Sequence, residues 1–188
     1  MTEREVRVDA TTLRGLAHPL RVRILGLLRE HGPATATTLA ERLGQSTGAT
    51  SYHLRILATY GFVVDDPERN VGRERWWKAA HRSTTIDVDP ANAPPETEGY
   101  LRAVAAQYAD RVERFLDEMA SIPAPWGDAF TISDWPLRLT AEEAGALHGE
   151  IFALLDRYRR DDREAPQPEG TERVVVQVQI LPFPEAEQ

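Results

Sequence analysis

Gly44 separates two short amphipathic stretches, and no other feature restricts the fold of this chain as tightly. Before it, Leu39, Ala40 and Leu43 lie on one face of a short helix that Thr37 or Thr38 can cap. Gly44 supplies the left-handed turn that stops this helix. Ser46 then caps a longer helix running to Tyr60, which Gly61 ends. Two helices joined by a tight glycine-containing turn form the helix-turn-helix pattern.

Leu13, Leu16, Ala17, Leu20, Ile24, Leu27 and Leu28 continue a helical stripe that Pro19 interrupts. The spacing predicts a short helix ending near Ala17 and a second one starting at Pro19 and stopping at Gly32 and Pro33. Residues 62–65 and 74–78 are rich in β-formers around a turn-prone stretch, which predicts a hairpin with a basic tip. Prolines 90, 94 and 95 mark residues 83–99 as a linker. Beyond it, Leu101, Val104, Ala105, Tyr108, Val112, Phe115, Leu116 and Met119 form one stripe on a helix over about residues 98–120. Thr140 and Glu143 have capping-box spacing at the start of a further helix, and residues 173–181 alternate as a strand does. The expected fold is mainly α with a small β component. Residues 1–82 would be a winged helix-turn-helix, 83–99 a linker, and 100–188 an α+β region for dimerisation and sensing.

Charge supports this division. The chain carries −8 overall, yet residues 1–82 hold 13 Lys and Arg against 9 Asp and Glu, or +4, while residues 83–188 hold 9 against 21, or −12. A basic part that faces a polyanion, joined to an acidic part held away from it, suits a two-part regulator. With no cysteine the chain has no disulfide, thiolate metal site or cysteine nucleophile. No stretch is long and apolar enough to span a bilayer and the first residues are too polar for a secretory signal, so the expectation is a cytoplasmic protein with no membrane partner.

On a 100° wheel the longer helix turns Ala49, His53, Ile56, Leu57 and Tyr60 to one side and Gly48, Ser51, Tyr52, Arg55 and Thr59 to the other. The second helix of this motif enters the major groove with its N-terminal residues near the base edges. The candidate DNA contacts are therefore Ser46, Thr47, Ser51, Tyr52 and Arg55, with Thr50 at the border of the two faces and Gly48 allowing close approach. Arg69, Arg73 and Arg75 add a basic hairpin tip suited to phosphates. Such a polar face also suits an ordinary solvated helix, and the basic tip is what separates a DNA reader from a winged helix used only for protein contact.

Three segments, residues 16–25, 39–43 and 51–57, followed by Gly61, Phe62 and Val63, together resemble the ArsR-type winged helix-turn-helix regulators over roughly residues 10–80. The resemblance implies a homodimeric transcriptional repressor or activator that binds a pseudo-palindromic operator on double-stranded DNA and responds to an effector. Many members of that family sense metals through cysteine, or through histidine and acidic ligands. Here His18, His31, His53, His81 and His148 are scattered without ligand spacing, so no metal and no cofactor is expected, and a small-molecule effector is the remaining sensing partner. His53, on the inner side of its wheel, is expected to be packed and hydrogen-bonded. Trp126, Phe130 and Trp135 suit either the walls of an effector pocket or the completion of a core. No phosphate loop, nucleophile elbow or paired metal ligand appears, and no enzymatic activity is expected.

Overall fold

His18 and Pro19 set the start of the first long helix. The His18 ring nitrogen Nδ1 accepts the Leu20 backbone N–H at 3.1 Å, and Pro19 occupies the first turn, where a missing donor costs nothing. In this computed structural model, residues 5–69, 74–86, 92–159, 161 and 166–183 are described. They divide into two compact units, Met1–Ser121 and Ile122–Gln188.

The first unit runs β1 (Glu5–Val8), α1 (Ala10–Leu13), α2 (Pro19–His31), β2 (Ala34–Thr35), α3 (Ala36–Leu43), α4 (Thr47–Thr59), β3 (Val63–Asp65), β4 (Trp76–Ala79), β5 (Ser83–Ile86) and α5 (Pro95–Glu118). Asp9 caps α1, which ends at Leu13; a tighter turn, not helix, carries the chain on to Leu16. Gly32, at φ 84°, ends α2. Thr35, and neither Thr37 nor Thr38, caps α3: its hydroxyl accepts the Thr38 backbone N–H at 3.2 Å. Residues Ala34 and Thr35 also pair with Trp77 and Trp76, so the hairpin β3–β4 becomes a three-stranded antiparallel sheet in the order β2-β4-β3. A two-residue strand has no periodicity to read, which is why sequence alone places the cap two or three residues late.

Leu13, Leu16, Ile24, Leu39, Leu54, Leu57, Phe62 and Val63 fill the core between α1, α2, α3, α4 and the sheet, each no more than 1% exposed. Gly15 is buried against this core because two rings lie over it. A Cβ there would fall 2.6 Å from Tyr60 Cγ and 2.8 Å from Phe62 Cε2. Gly15→Ala is therefore expected to cost about 1–3 kcal/mol, as overpacked cores do. Gly26→Ala, by contrast, would meet only the movable amide end of Gln107 and would gain helix propensity, so its effect should stay near zero. Urea unfolding of the two variants checks the contrast.

The expected linker over 83–99 has regular structure at both ends. Ser83–Ile86 pairs in parallel with Glu5–Val8, and α5 begins at Pro95. Parallel pairing joins residues far apart in sequence and leaves no local signal. Arg29 braces this region from α2: its Nε donates to the His81 carbonyl at 2.9 Å and its Nη2 to Thr84 Oγ1 at 2.8 Å. Burial lowers the Arg29 guanidinium to about 10, against a smaller raising effect of Tyr100.

The α5 helix packs on α2, with Tyr100, Ala103 and Val104 joining the core. Further along, Glu30 of α2 accepts from Arg114 at 3.0 and 3.4 Å and from Arg111 at 3.5 Å. Burial alone would raise the Glu30 carboxyl; the Arg114 hydrogen bond and charge, with Arg111 and His31, outweigh it and hold the group below its usual range. Most of the predicted stripe lies on a different face from this contact. Leu101, Leu116 and Met119 are exposed and Tyr108, Val112 and Phe115 half-buried, so α5 carries two apolar faces.

In the second unit Thr140 and Glu143 form the predicted reciprocal capping box at the start of α6 (Ala141–Leu155). Among the described residues of this unit none is buried. Residues 173–181 form no strand: the alternation is present, but no other described segment pairs with it, and Val174 and Val176 stay exposed. No helix among the described residues is long and apolar enough to cross a membrane.

Candidate nucleic-acid interface

Ser46 positions the start of α4, since its hydroxyl accepts the Ala49 backbone N–H at 3.2 Å. Gly44, left-handed at φ 61°, sets the turn between α3 and α4. The inner face of α4 buries Thr50, His53, Leu54 and Leu57. Ser46, Thr47, Gly48, Tyr52 and Arg55 are exposed and Ser51 half-buried, so these candidates share the outer surface. A Cβ at Gly48 would meet nothing within 4 Å among the described residues, which leaves that surface open to close approach from outside.

Thr50 does not join them. It is fully buried and its hydroxyl donates back to the Ser46 carbonyl at 3.1 Å, a local bond that the border position on the wheel could not reveal.

Between α4 and the sheet lies a groove of about 380 Å³, lined by Thr35, Ala36, Thr37, Ser51, Arg55, Glu74, Arg75 and Trp77. Its lining includes Ala36 and Thr37 of the first turn of α3. Thr35 and Thr37 had no sequence signal pointing to this surface, because it is β2 that brings them beside β4.

The wing is less free than its arginine count suggests. Arg75 Nε lies 3.1 Å from Asp65 Oδ2, and its guanidinium stacks over the Trp77 ring with 4.1 Å to the centroid. Arg69 Nε lies 3.4 Å from Asp66 Oδ2, and Lys78 Nζ is 3.3 Å from Asp66 Oδ1. Asp66 is buried and anchors both cations, while its backbone N–H donates to the Trp76 carbonyl. Asp65 and Asp66 are the residues that sequence reasoning missed; their position just before the basic tip was the available signal. Arg73 lies outside the described residues.

His53 is buried as expected, but its Nδ1 has no hydrogen-bond partner among the described residues. No group of three or more metal-ligand side chains converges among the described residues. In the second unit Trp126 is half-buried and Phe130 and Trp135 are exposed, so none of the three completes a buried core there.

A family model described as a helix-turn-helix domain matches residues 16–65. Comparison with curated proteins gives no match. Among solved structures, the chain is similar to the homodimeric winged helix-turn-helix DNA-binding domain Mb0332 of Mycobacterium bovis, a possible ArsR-family transcriptional regulator. The identity is 19%, with 54% of this chain and 77% of that one covered, at a TM-score of 0.34. A possible transcriptional regulator for arsenical resistance is 26% identical, covering 59% of this chain and 97% of its own, at a TM-score of 0.33. A mutant of Lactococcus lactis ZitR in its apo form is 21% identical over 74% of this chain and 82% of its own, at a TM-score of 0.31. Overlays this loose add nothing to the family match. Through residues 16–65 the chain carries a helix-turn-helix domain, made winged by the β3–β4 hairpin that follows α4.

Proposed function

We propose that the chain is a sequence-specific DNA-binding transcriptional regulator of ArsR type, acting in the cytoplasm as a homodimer on a pseudo-palindromic operator. The observation that carries this reading is the outer face of α4, where Ser46, Thr47, Ser51, Tyr52 and Arg55 stand clear of the core beside the groove and the wing. Arg55 and Tyr52 reach base edges, the first turns of α3 and α4 meet phosphates, and the wing crosses the adjacent backbone. Dimerisation uses the outward face of α5, where Leu101, Leu116 and Met119 remain uncovered. A small-molecule effector that prefers one arrangement of the dimer would change the spacing of the two α4 helices, and with it operator affinity.

One observation favours a protein-contact module instead: Arg69, Arg75 and Lys78 are each paired with Asp65 or Asp66. The Arg75–Asp65 pair is exposed on both sides and such a pair holds by only about 0–1 kcal/mol, so a phosphate can displace its carboxylate, while Arg69 and Lys78 keep their own ends exposed above the buried Asp66. Arg69→Ala combined with Arg73→Ala is expected to weaken binding to every duplex sequence. The dependence of log affinity on log salt should flatten by about 0.9 for each phosphate that is no longer neutralised. Gel-shift titrations across a salt series measure this, and an unchanged slope would assign the wing to protein contact.

A further inference from the structure

His18 and His53 stack where α2 meets α4, with ring centroids 4.5 Å apart and planes tilted by 38°. The two rings have different attachments. His18 Nδ1 is occupied as an acceptor for the Leu20 N–H, so protonating this ring at Nδ1 would break the cap of α2. His53 is buried, and its Nδ1 is shut off from solvent with no hydrogen-bond partner among the described residues. A neutral ring there forgoes one bond. A charged ring would forgo its solvation as well.

The groups around His53 supply no counter-charge. From α2 it faces His18 and Arg21, whose Nη2 donates to the Arg14 carbonyl at 2.8 Å. From α4 itself it faces Tyr52, edge-on at 5.3 Å. The charged side chains of α3, Glu41 and Arg42, are turned to solvent, and Asp65 of β3 is engaged by Arg75. Arg14 at the end of α1 pairs with Glu96. One permanent cation, Arg21, a second imidazole at stacking distance and no facing carboxylate among the described residues make this seat intolerant of a charged His53 ring.

We propose that the His18–His53 stack is a proton-operated latch on the seat of α4, closed while both rings are neutral and opened when His53 gains a proton and leaves the α2–α4 contact. The consequence for DNA rests on α4 being the reading helix; the latch itself does not.

Burial first, then His18 and Arg21, hold His53 below its ordinary value of 6.5. Above that value both the closed and the opened seat carry a neutral ring, and the contact has its full stability. As pH falls below it, the opened form takes a proton that the closed form refuses, and stability is lost until the lowered value is passed. The opening equilibrium should rise by up to about tenfold between about pH 7.5 and about pH 5.5. Added positive charge alone would strengthen DNA binding on acidification, whereas the latch weakens it.

The test is an NMR titration of the imidazoles of the full chain, with hydrogen-exchange protection factors for the α4 amides at the two pH values. The expected result is that His53 titrates below the ordinary range and that protection in α4 falls up to about tenfold on acidification. His53→Gln should remove that fall. His18→Asn, which keeps a capping side chain and leaves His53 in place, should raise the His53 titration, so the idea stays testable even if His53→Gln folds poorly. A His53 titrating at or above the ordinary value, or α4 protection unchanged by acid, overturns the latch. A mixed-sequence duplex provides a separate arm. If exchange behaves as expected while duplex affinity does not fall with acid, the latch stands and the assignment of α4 as reader fails.

Discussion

Leu54→Ala is expected to lower the free energy of unfolding by about 2–5 kcal/mol, while Arg55→Ala, the next residue, leaves it within about 0.5 kcal/mol. Leu54 is fully buried between α4 and the rest of the core, so truncation removes its packing and leaves a cavity. Arg55 is exposed at the rim of the groove, and its backbone carbonyl, which accepts the Thr59 hydroxyl at 3.0 Å, is untouched by the change. The order reverses for DNA. Arg55→Ala should reduce operator affinity about 10- to 100-fold, the range for removing one good base contact. Denaturant unfolding and gel-shift titration on the same two variants separate the faces. A folded Arg55→Ala protein with unchanged affinity would remove this side chain from the contact set.

Introducing charge on the outer face of α5 should have a comparably large effect on assembly. Leu116 and Met119 are uncovered, and Val112 and Phe115 beside them are half-buried, on a helix whose other face is already packed on α2. Each apolar side chain buried in a dimer contributes about 1.5–3 kcal/mol. Leu116→Glu combined with Met119→Glu removes two such contributions and would bury unpaired carboxylates, so the dimer dissociation constant should rise by about 100-fold or more. Sedimentation at micromolar concentration is expected to show a dimer for the parent chain and a monomer for the variant. A monomeric parent would exclude this face as the dimer contact.

Much of the first unit is legible in the sequence because its signals are local. Gly44 marks its own left-handed turn and Ser46 its own cap; in the second unit Thr140 with Glu143 makes a capping box that needs no partner beyond four residues. What the sequence hides depends on distant partners. The two-residue strand Ala34–Thr35 exists only because β4 lies beside it, and it moves the α3 cap to Thr35. The β1–β5 pairing joins residues about eighty apart. In residues 173–181 the reverse holds: the alternation is there, but no described segment pairs with it as a ladder, and it makes no strand. Periodicity locates an apolar stripe on α5 but cannot say that Tyr100 and Ala103, to one side of it, join the core. At the site the outer face of α4 follows from the wheel. Thr50 goes inward through its own backbone bond, and Asp65 and Asp66 take up wing cations that look free in the sequence.

Selection of bound sequences from a random duplex library by the purified chain, at two salt concentrations, tests the central claim most directly. The account predicts enrichment of an inverted repeat whose half-sites lie about one helical turn apart, on the order of 34–36 Å, with weaker recovery at the higher salt. Recovery of unenriched sequence at low salt would contradict it.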